Sequence, residues 1–512
     1  ARRQNQQVAH RQPLEASRLL EGEGIGLYQM AYPLYILFLS IAGAGIPIAV
    51  SIMVAEQTAK GNYSGAKRIF HITLAVMTLA ALGCGVVMAF GAKALIAYGL
   101  VRDDRAYLPL LVLAPALTIS IVTCCFRGYF QGLQLMTPTA VSQMVDQFVR
   151  VCTMLVLAWL LFPYGLEIAA AGATFGAVPG AAAGLAVIAF LYYRHSRAPL
   201  PADEGQFAPC RAVSVIRRLA VLAVPVAAAN MLLPAVASID LFIVPQRLEA
   251  AGYTIHEATT LFGYLTGMAN GLVQLPTILT ISLATSLVPA VSAAYSKGQT
   301  DLVLKRAHTA MRIANIITVP SCCGLAVLAV PISQMLYATP EAGPAICVLS
   351  ISVFFIGVQQ ITSGLLQGMG NTAIPLLNMA VAAVFKILFS WHLTAIPWLG
   401  EVGAAWATNI DLAVATILNL YFAHRLIAYH VQWGYVARLF LSAAAMAGTA
   451  WFAYHGLLLF LGNTGATLAA ISSAGAVYLL CLFLFRAVAA DDLRRVPVVG
   501  AKVSSLLSRL EK

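Results

Sequence analysis

Along its 512 residues the chain returns again and again to apolar runs long enough to cross a bilayer. A helix needs about 20 residues to span a hydrocarbon core of about 30 Å. Runs of that length recur near 27–55, 70–92, 107–127, 138–162, 167–193, 218–245, 261–290, 310–337, 344–366, 373–397, 402–424, 435–461 and 466–486. They are continuous rather than alternating, which predicts helices and not the strands of a membrane barrel. Composition agrees: 60% of residues are apolar and 10% charged, with mean hydropathy +0.83, where a soluble domain carries about 25% charged residues. The expectation is an all-α integral membrane protein, held in the lipid bilayer by thirteen visible spans.

Charge sets the orientation. Lys and Arg number 31 against 20 Asp and Glu, an excess that gathers in cytoplasmic loops of membrane proteins and here implies no nucleic-acid partner. Alternate loops hold Lys60, Lys67 and Arg68; Arg194, Arg197, Arg211, Arg217 and Arg218; Lys297, Lys305 and Arg306; and Arg425 with Arg438. The tail adds Arg486, Arg494, Arg495, Lys502, Arg509 and Lys512, while the opposite loops hold little beyond Lys93, Arg102, Arg105 and Arg247. The positive-inside rule puts the first set and the C-terminus in the cytoplasm. Residues 1–21 break the pattern, because thirteen spans would leave Arg2, Arg3, Arg11 and Arg18 outside. Fourteen spans are therefore expected of the intact protein, with the first missing here.

The chain also repeats itself at an offset of roughly 236–242 residues. Ile48-Ala49-Val50-Ser51 recurs as Pro289-Ala290-Val291-Ser292, and Lys60-Gly61 with Lys67-Arg68 as Lys297-Gly298 with Lys305-Arg306. Gln131-Gly132 recurs as Gln367-Gly368, Arg150 falls opposite Lys386, and Ala173-Thr174 opposite Ala407-Thr408. Six spans per repeat make the halves parallel, the plan of many secondary transporters. The expected domains are an atypical polar N-terminus (1–21), an N-lobe (22–200), a cytoplasmic linker (201–217), a C-lobe (218–430), two additional helices (431–487) and a cytoplasmic tail (488–512).

The stretch Gly24-Ile25-Gly26-Leu27-Tyr28-Gln29-Met30-Ala31-Tyr32-Pro33-Leu34-Tyr35 resembles the stage V sporulation protein B family of polysaccharide and lipid-linked-oligosaccharide exporters. So do Gly45-Ile46-Pro47-Ile48-Ala49-Val50-Ser51, Arg127-Gly128-Tyr129-Phe130-Gln131-Gly132, and Ser142-Gln143 with Asp146-Gln147 and Arg150. Ile239-Asp240 with Val244-Pro245, and Thr285-Ser286-Leu287-Val288-Pro289, also fit. The resemblance runs from about residue 22 to the C-terminus. It implies the multidrug/oligosaccharidyl-lipid/polysaccharide exporter fold, with two six-helix lobes around a central cavity plus two extra C-terminal helices. It also implies a flippase in a bacterial cell membrane, moving an undecaprenyl-diphosphate-linked saccharide such as lipid II. No cofactor is expected, and the sequence does not show whether a cell-wall synthesis partner is needed.

Charges inside spans cost about 2.5–3.5 kcal/mol each on insertion scales and usually face a cavity or a partner. Ser142, Gln143, Asp146, Gln147 and Arg150 recur at helical spacing, which predicts one polar face. Lys386 has no acidic neighbour on its own helix, so Arg150 and Lys386 facing each other across the lobes would suit a diphosphate. The competing reading is a self-neutralising Asp146–Arg150 pair. Arg127 either snorkels or touches substrate, and Asn378 either bonds a sugar or links helices. Asp240 and Asp411 are candidates for cation coupling. Gly172, Gly176, Gly180 and Gly184 form a stripe for close helix approach, and Pro47 and Pro289 are candidate hinges.

Catalytic signals are absent: no Lys precedes Ser or Thr as a Walker A loop requires, and neither HExxH nor GxSxG occurs. The nine cysteines include no CxxC, and all but Cys210 lie in apolar stretches, so no metal site is expected. The alternatives are a cation-coupled drug antiporter and, third, a membrane polymerase or ligase. The latter would be expected to carry a large external loop, and the longest here is about fifteen residues (246–260).

Overall fold

A computed structural model describes residues 16–43, 45–197 and 211–485. Residues 1–15 of the expected N-terminal segment, 201–210 of the expected linker and the expected tail at 488–512 lie outside them. Among the described residues the chain is helical and contains no strand, and eleven helical segments are long and apolar enough to cross a membrane. This is a multi-pass membrane protein.

Residues up to Gly267 form one compact unit and residues from Met268 a second. The first comprises α1 (Ala16–Gly43), α2 (Ile46–Ala59), α3 (Tyr63–Ala97), α4 (Tyr107–Gly132), α5 (Met136–Leu161), α6 (Leu166–Phe175), α7 (Ala177–Arg197), α8 (Ala212–Ala250) and α9 (Ile255–Gly263). A π-helical stretch, Tyr264–Ala269, carries the chain onward. The second comprises α10 (Asn270–Tyr295), α11 (Thr300–Val327), α12 (Ala329–Tyr337), α13 (Gly343–Leu349), α14 (Ile351–Gly368), α15 (Ala373–Leu393), α16 (Gly400–Ile427) and α17 (Trp433–Leu484).

Local chemistry explains where these helices stop and start. The run 27–55 is two helices, because α2 restarts with Pro47 in its first turn, where a missing N–H costs nothing. Pro47 therefore opens a helix rather than bending one, whereas Pro289 lies inside α10. Asn62 caps α3 by accepting from the Gly65 N–H at 2.8 Å, and Thr254 with Glu257 forms a capping box on α9. The runs 167–193 and 310–337 are likewise broken, at Gly176 and at Leu328.

Helix α17 is two helices folded back on each other. Gly462, at φ 65° and ψ 179°, interrupts it with a conformation reserved for glycine. A straight helix would hold Tyr435 and Tyr478 some 60 Å apart at about 1.5 Å per residue. Yet both reach α11 within one turn, donating to the carbonyls of Arg312 and Ile316 at 3.4 and 3.0 Å.

Lipid is as apolar as leucine, so helices in it are held by close packing and interhelical hydrogen bonds. In the first unit α3 packs on α4, α5 on α7 and α2 on α4, while α1 touches α4, α6, α8 and α9. The sequence begins a second lobe at 218, but α8 packs on α1, α2, α3 and α9 of the first unit and buries Leu241, Val244 and Leu248. A sequence repeat pairs segments by likeness and does not specify which neighbour each one packs on. In the second unit α15 packs on α16, α10 on α14 and α11 on both α14 and α17. Its core gathers Leu287, Val291, Met311, Ile361, Leu365 and Ile427.

Candidate functional site

The polar residues of α5 do not share one environment. Ser142 and Asp146 are buried, while Gln143 and Gln147 are exposed. Each neighbouring residue turns about 100° around a helix, so the two glutamines are carried off the face that meets α7. Ser142 donates to the Gly184 carbonyl at 3.0 Å and serves to link helices.

Asp146 is the centre of the cluster. Arg150 donates to its Oδ1 from Nη2 at 3.1 Å, one turn away on the same helix, and Arg127 of α4 brings Nη2 to within 3.7 Å of Oδ2. Two guanidiniums thus share one carboxylate, and the cluster carries a net charge of +1 inside membrane-spanning helices. The Nε atoms of both arginines are buried with no hydrogen-bond partner among the described residues. Arg150 also reaches the Tyr32 hydroxyl at 3.4 Å. Tyr32 stands in a file of rings on α1, 5.3 Å from Tyr28 and 5.9 Å from Tyr35 between centroids.

The glycine stripe makes this burial geometrically feasible. A Cβ at Gly180 would lie 2.8 Å from both the Arg150 Cβ and the Asp146 carbonyl, and one at Gly176 2.9 Å from the Arg150 carbonyl. At Gly184 it would lie 3.0 Å from the Asp146 Cβ, and at Gly172 2.5 Å from a Leu161 methyl. With hydrogen in those positions, α6 and α7 lie flat on α5 and press its charged stretch into the unit.

The second unit holds the other intramembrane candidates. Asn378 donates to the Asn419 Oδ1 at 2.8 Å, and Asn419 passes the chain to the Ser363 hydroxyl at 2.9 Å, so Asn378 links α15, α16 and α14. Lys386 on α15 and Asp411 on α16 are buried. Asp240 lies on α8 of the first unit.

A further network, in the first unit, has no local signal in the sequence. Arg105 bridges the Asp103 Oδ2 at 2.6 Å and the Glu23 Oε1 at 2.7 Å. Thr259 donates to Asp103 at 2.8 Å and the His256 Nδ1 lies 2.7 Å from Glu23, so α1, the loop before α4 and α9 are tied together. Burial raises the proton affinity of Asp103, but hydrogen bonds from the Arg105 side chain, Thr259 and the Arg105 N–H outweigh it and hold the carboxyl below its ordinary range.

A model of polysaccharide biosynthesis proteins matches residues 16–295, more than half the chain. The chain belongs to the polysaccharide biosynthesis protein family. A MatE model also matches residues 266–392. Stage V sporulation protein B of Bacillus subtilis (strain 168) is 28% identical to this family member over 485 residues, 94% of this chain and 93% of that protein. The lipid II flippase MurJ of the same organism is 27% identical over 499 residues, 91% of this chain and 90% of that one. In structure, an inward-facing MATE-family multidrug resistance transporter of the MOP superfamily superposes with TM-score 0.65 at 16% identity, over 81% of this chain and 93% of that one. MurJ in an inward closed conformation does so with TM-score 0.64 at 16% identity, over 92% and 97%. The chain shares its fold with these MOP-superfamily structures.

Proposed function

We propose that this protein is a flippase that moves an undecaprenyl-diphosphate-linked saccharide, of which lipid II is the model, from the inner to the outer leaflet by alternating access. The observation that carries the reading is the pair of arginines on Asp146. One carboxylate neutralises only one of them, and a diphosphate entering a low-dielectric site needs charge-assisted donors to replace water. Arg127 and Arg150 would bind the diphosphate, with the exposed Gln143 and Gln147 on the same helix as nearby donors. The likeness to MurJ over nine-tenths of both chains supports the same substrate class. A bacterial plasma membrane with the C-terminus inside, and transport rather than catalysis, belong to this proposal.

The two-repeat plan is part of it, and matched turns support it. Gly61 and Gly298 both adopt φ 70° immediately after their helices. Gln134 and Gly370, 236 positions apart, both take the left-handed form, and both turns close with the same pattern of backbone hydrogen bonds onto Gln131 and Gln367. We propose 22–200 and 218–430 as the repeats, with Pro47 and Pro289 at the ends that move.

The deciding experiment is a translocation assay in proteoliposomes, offering lipid II and other lipid-linked sugars to wild type and to Arg150→Ala. Outward movement of one of them by wild type and its loss in the variant is the expected result. Wild-type protein that moves none of them would overturn the reading.

A further inference from the structure

Helices α15 and α16 run antiparallel, and contacts at two places fix their register. Asn378 bonds Asn419 at 2.8 Å. Sixteen residues further along each helix, Gly403 lies so close to the end of α15 that a Cβ would meet the Leu393 carbonyl at 2.5 Å and the Thr394 nitrogen at 2.9 Å. Lys386 stands eight residues after Asn378 and eight before Thr394. Asp411 stands eight residues before Asn419 and eight after Gly403. Both helices rise equally per residue, so the two charges come level with each other.

They also face each other. The buried ridge of α15 steps by fours through Asn378, Ala382, Lys386, Ser390 and Thr394, and that of α16 through Gly403, Ala407, Asp411, Ala415 and Asn419. Ridges of this kind interlock when helices pack. Ala382, Ser390, Ala407 and Ala415 are small, which leaves room between the helices for one long side chain. Lys386 is 5% and Asp411 9% exposed, and buried charges inside a membrane persist when paired.

We propose that Lys386 and Asp411 form an interhelical ion pair, so that the Asp411 carboxylate is neutralised by a cation built into the chain and not by one exchanged with solution. In the first unit the same register sets Arg150 opposite Gly176, and Arg150 takes its acid from its own helix. In the second unit the acid stands on the facing helix. The pairing stands apart from the transport reading, but its consequence rests on that reading. On that reading the positive charge that meets the substrate is that of Arg127 and Arg150, and Asp411 is not a binding site for a coupling sodium ion or proton.

The test is a double-mutant cycle on the full chain in detergent, followed by thermal unfolding. Lys386→Met and Asp411→Leu should each lower the midpoint, and the double variant should regain more than half of the combined loss. Charge reversal, Lys386→Asp with Asp411→Lys, should likewise recover. Additive losses, with neither double variant better than the singles, would overturn the pair. If the singles fail to insert, membrane levels of the two doubles decide in the same way. In proteoliposomes with lipid II, wild-type export at an equal rate when sodium is replaced by choline supports the consequence for coupling. Strict sodium dependence abolished by Asp411→Asn would overturn it. Export of no substrate tells against the flippase reading, and the cycle still decides the pair.

Discussion

Gly180 and Arg150 touch backbone to side chain: a single added carbon at Gly180 would stand 2.8 Å from the Arg150 Cβ. The same carbon would press on the Asp146 carbonyl, so relief requires α5 and α7 to part. Overpacking of this kind costs about 1–3 kcal/mol. Gly448, inside α17 with nothing within 4 Å of an added Cβ, is the matched control, since Gly to Ala in an open helix gains about 0.5–1 kcal/mol. Gly180→Ala should lower the unfolding midpoint and Gly448→Ala should raise it slightly. A midpoint for Gly180→Ala as high as that of Gly448→Ala would show that the close approach is not required.

Removing either arginine of the cluster should stop transport while sparing insertion. Hydrogen bonds to charged groups are worth about 1.5–3 kcal/mol, so Arg150→Ala and Arg127→Ala should each slow translocation about 10- to 100-fold. Arg150→Ala has a second possible outcome, in which rate is kept and stability falls. If Asp146→Asn then restores the stability, the arginine serves only to neutralise Asp146.

Acid should loosen the network around Asp103. Its folded-state pKa lies below its unfolded value, so the stabilisation is fully present above the unfolded pKa of about 3.9. It is lost as pH falls from there through the folded value. The unfolding midpoint of wild type should therefore drop below about pH 4 by more than that of Asp103→Asn. Identical acid profiles for the two proteins would refute this assignment.

The matched turns tolerate different residues. Gly370 at φ 84° has a left-handed backbone, which costs an L residue roughly 1–2 kcal/mol. Gly370→Val should lower stability by about that much, whereas Gln134→Gly, at φ 60° on an exposed site, should not lower it. The two unfolding curves check both statements.

Membrane potential should drive export. An inside-negative potential favours outward movement of an anion by about 2.3 kcal/mol per charge per 100 mV, and it favours inward return of an empty cationic site. Collapsing the potential with valinomycin and potassium should slow net export more than removing a pH or sodium gradient does. Undiminished export at zero potential would exclude this drive.

The helices and the family were legible because both rest on local signals: long apolar runs, and motifs such as Arg127-Gly128-Tyr129-Phe130-Gln131-Gly132. The Asp146–Arg150 pair was legible for the same reason, being one helical turn apart. Arg127 was not visible as the second cation on Asp146, since that contact depends on how α4 lies against α5. The Glu23–Arg105 bridge joins residues 82 positions apart, and no periodicity encodes it. The single polar face expected on α5 failed because spacing was read without asking how wide the α7 contact is. Gly180 and Gly184 bring α7 directly over Ser142 and Asp146, and leave Gln143 and Gln147 outside.

The reversal at Gly462 has an arithmetic consequence. A hairpin adds two crossings at once, so the chain leaves the bilayer on the same face where it entered. The last pair of helices can therefore be present or absent without inverting anything upstream, as a single appended helix could not. Parity makes the pair a module, one that can be appended or deleted while every earlier loop keeps its side of the membrane.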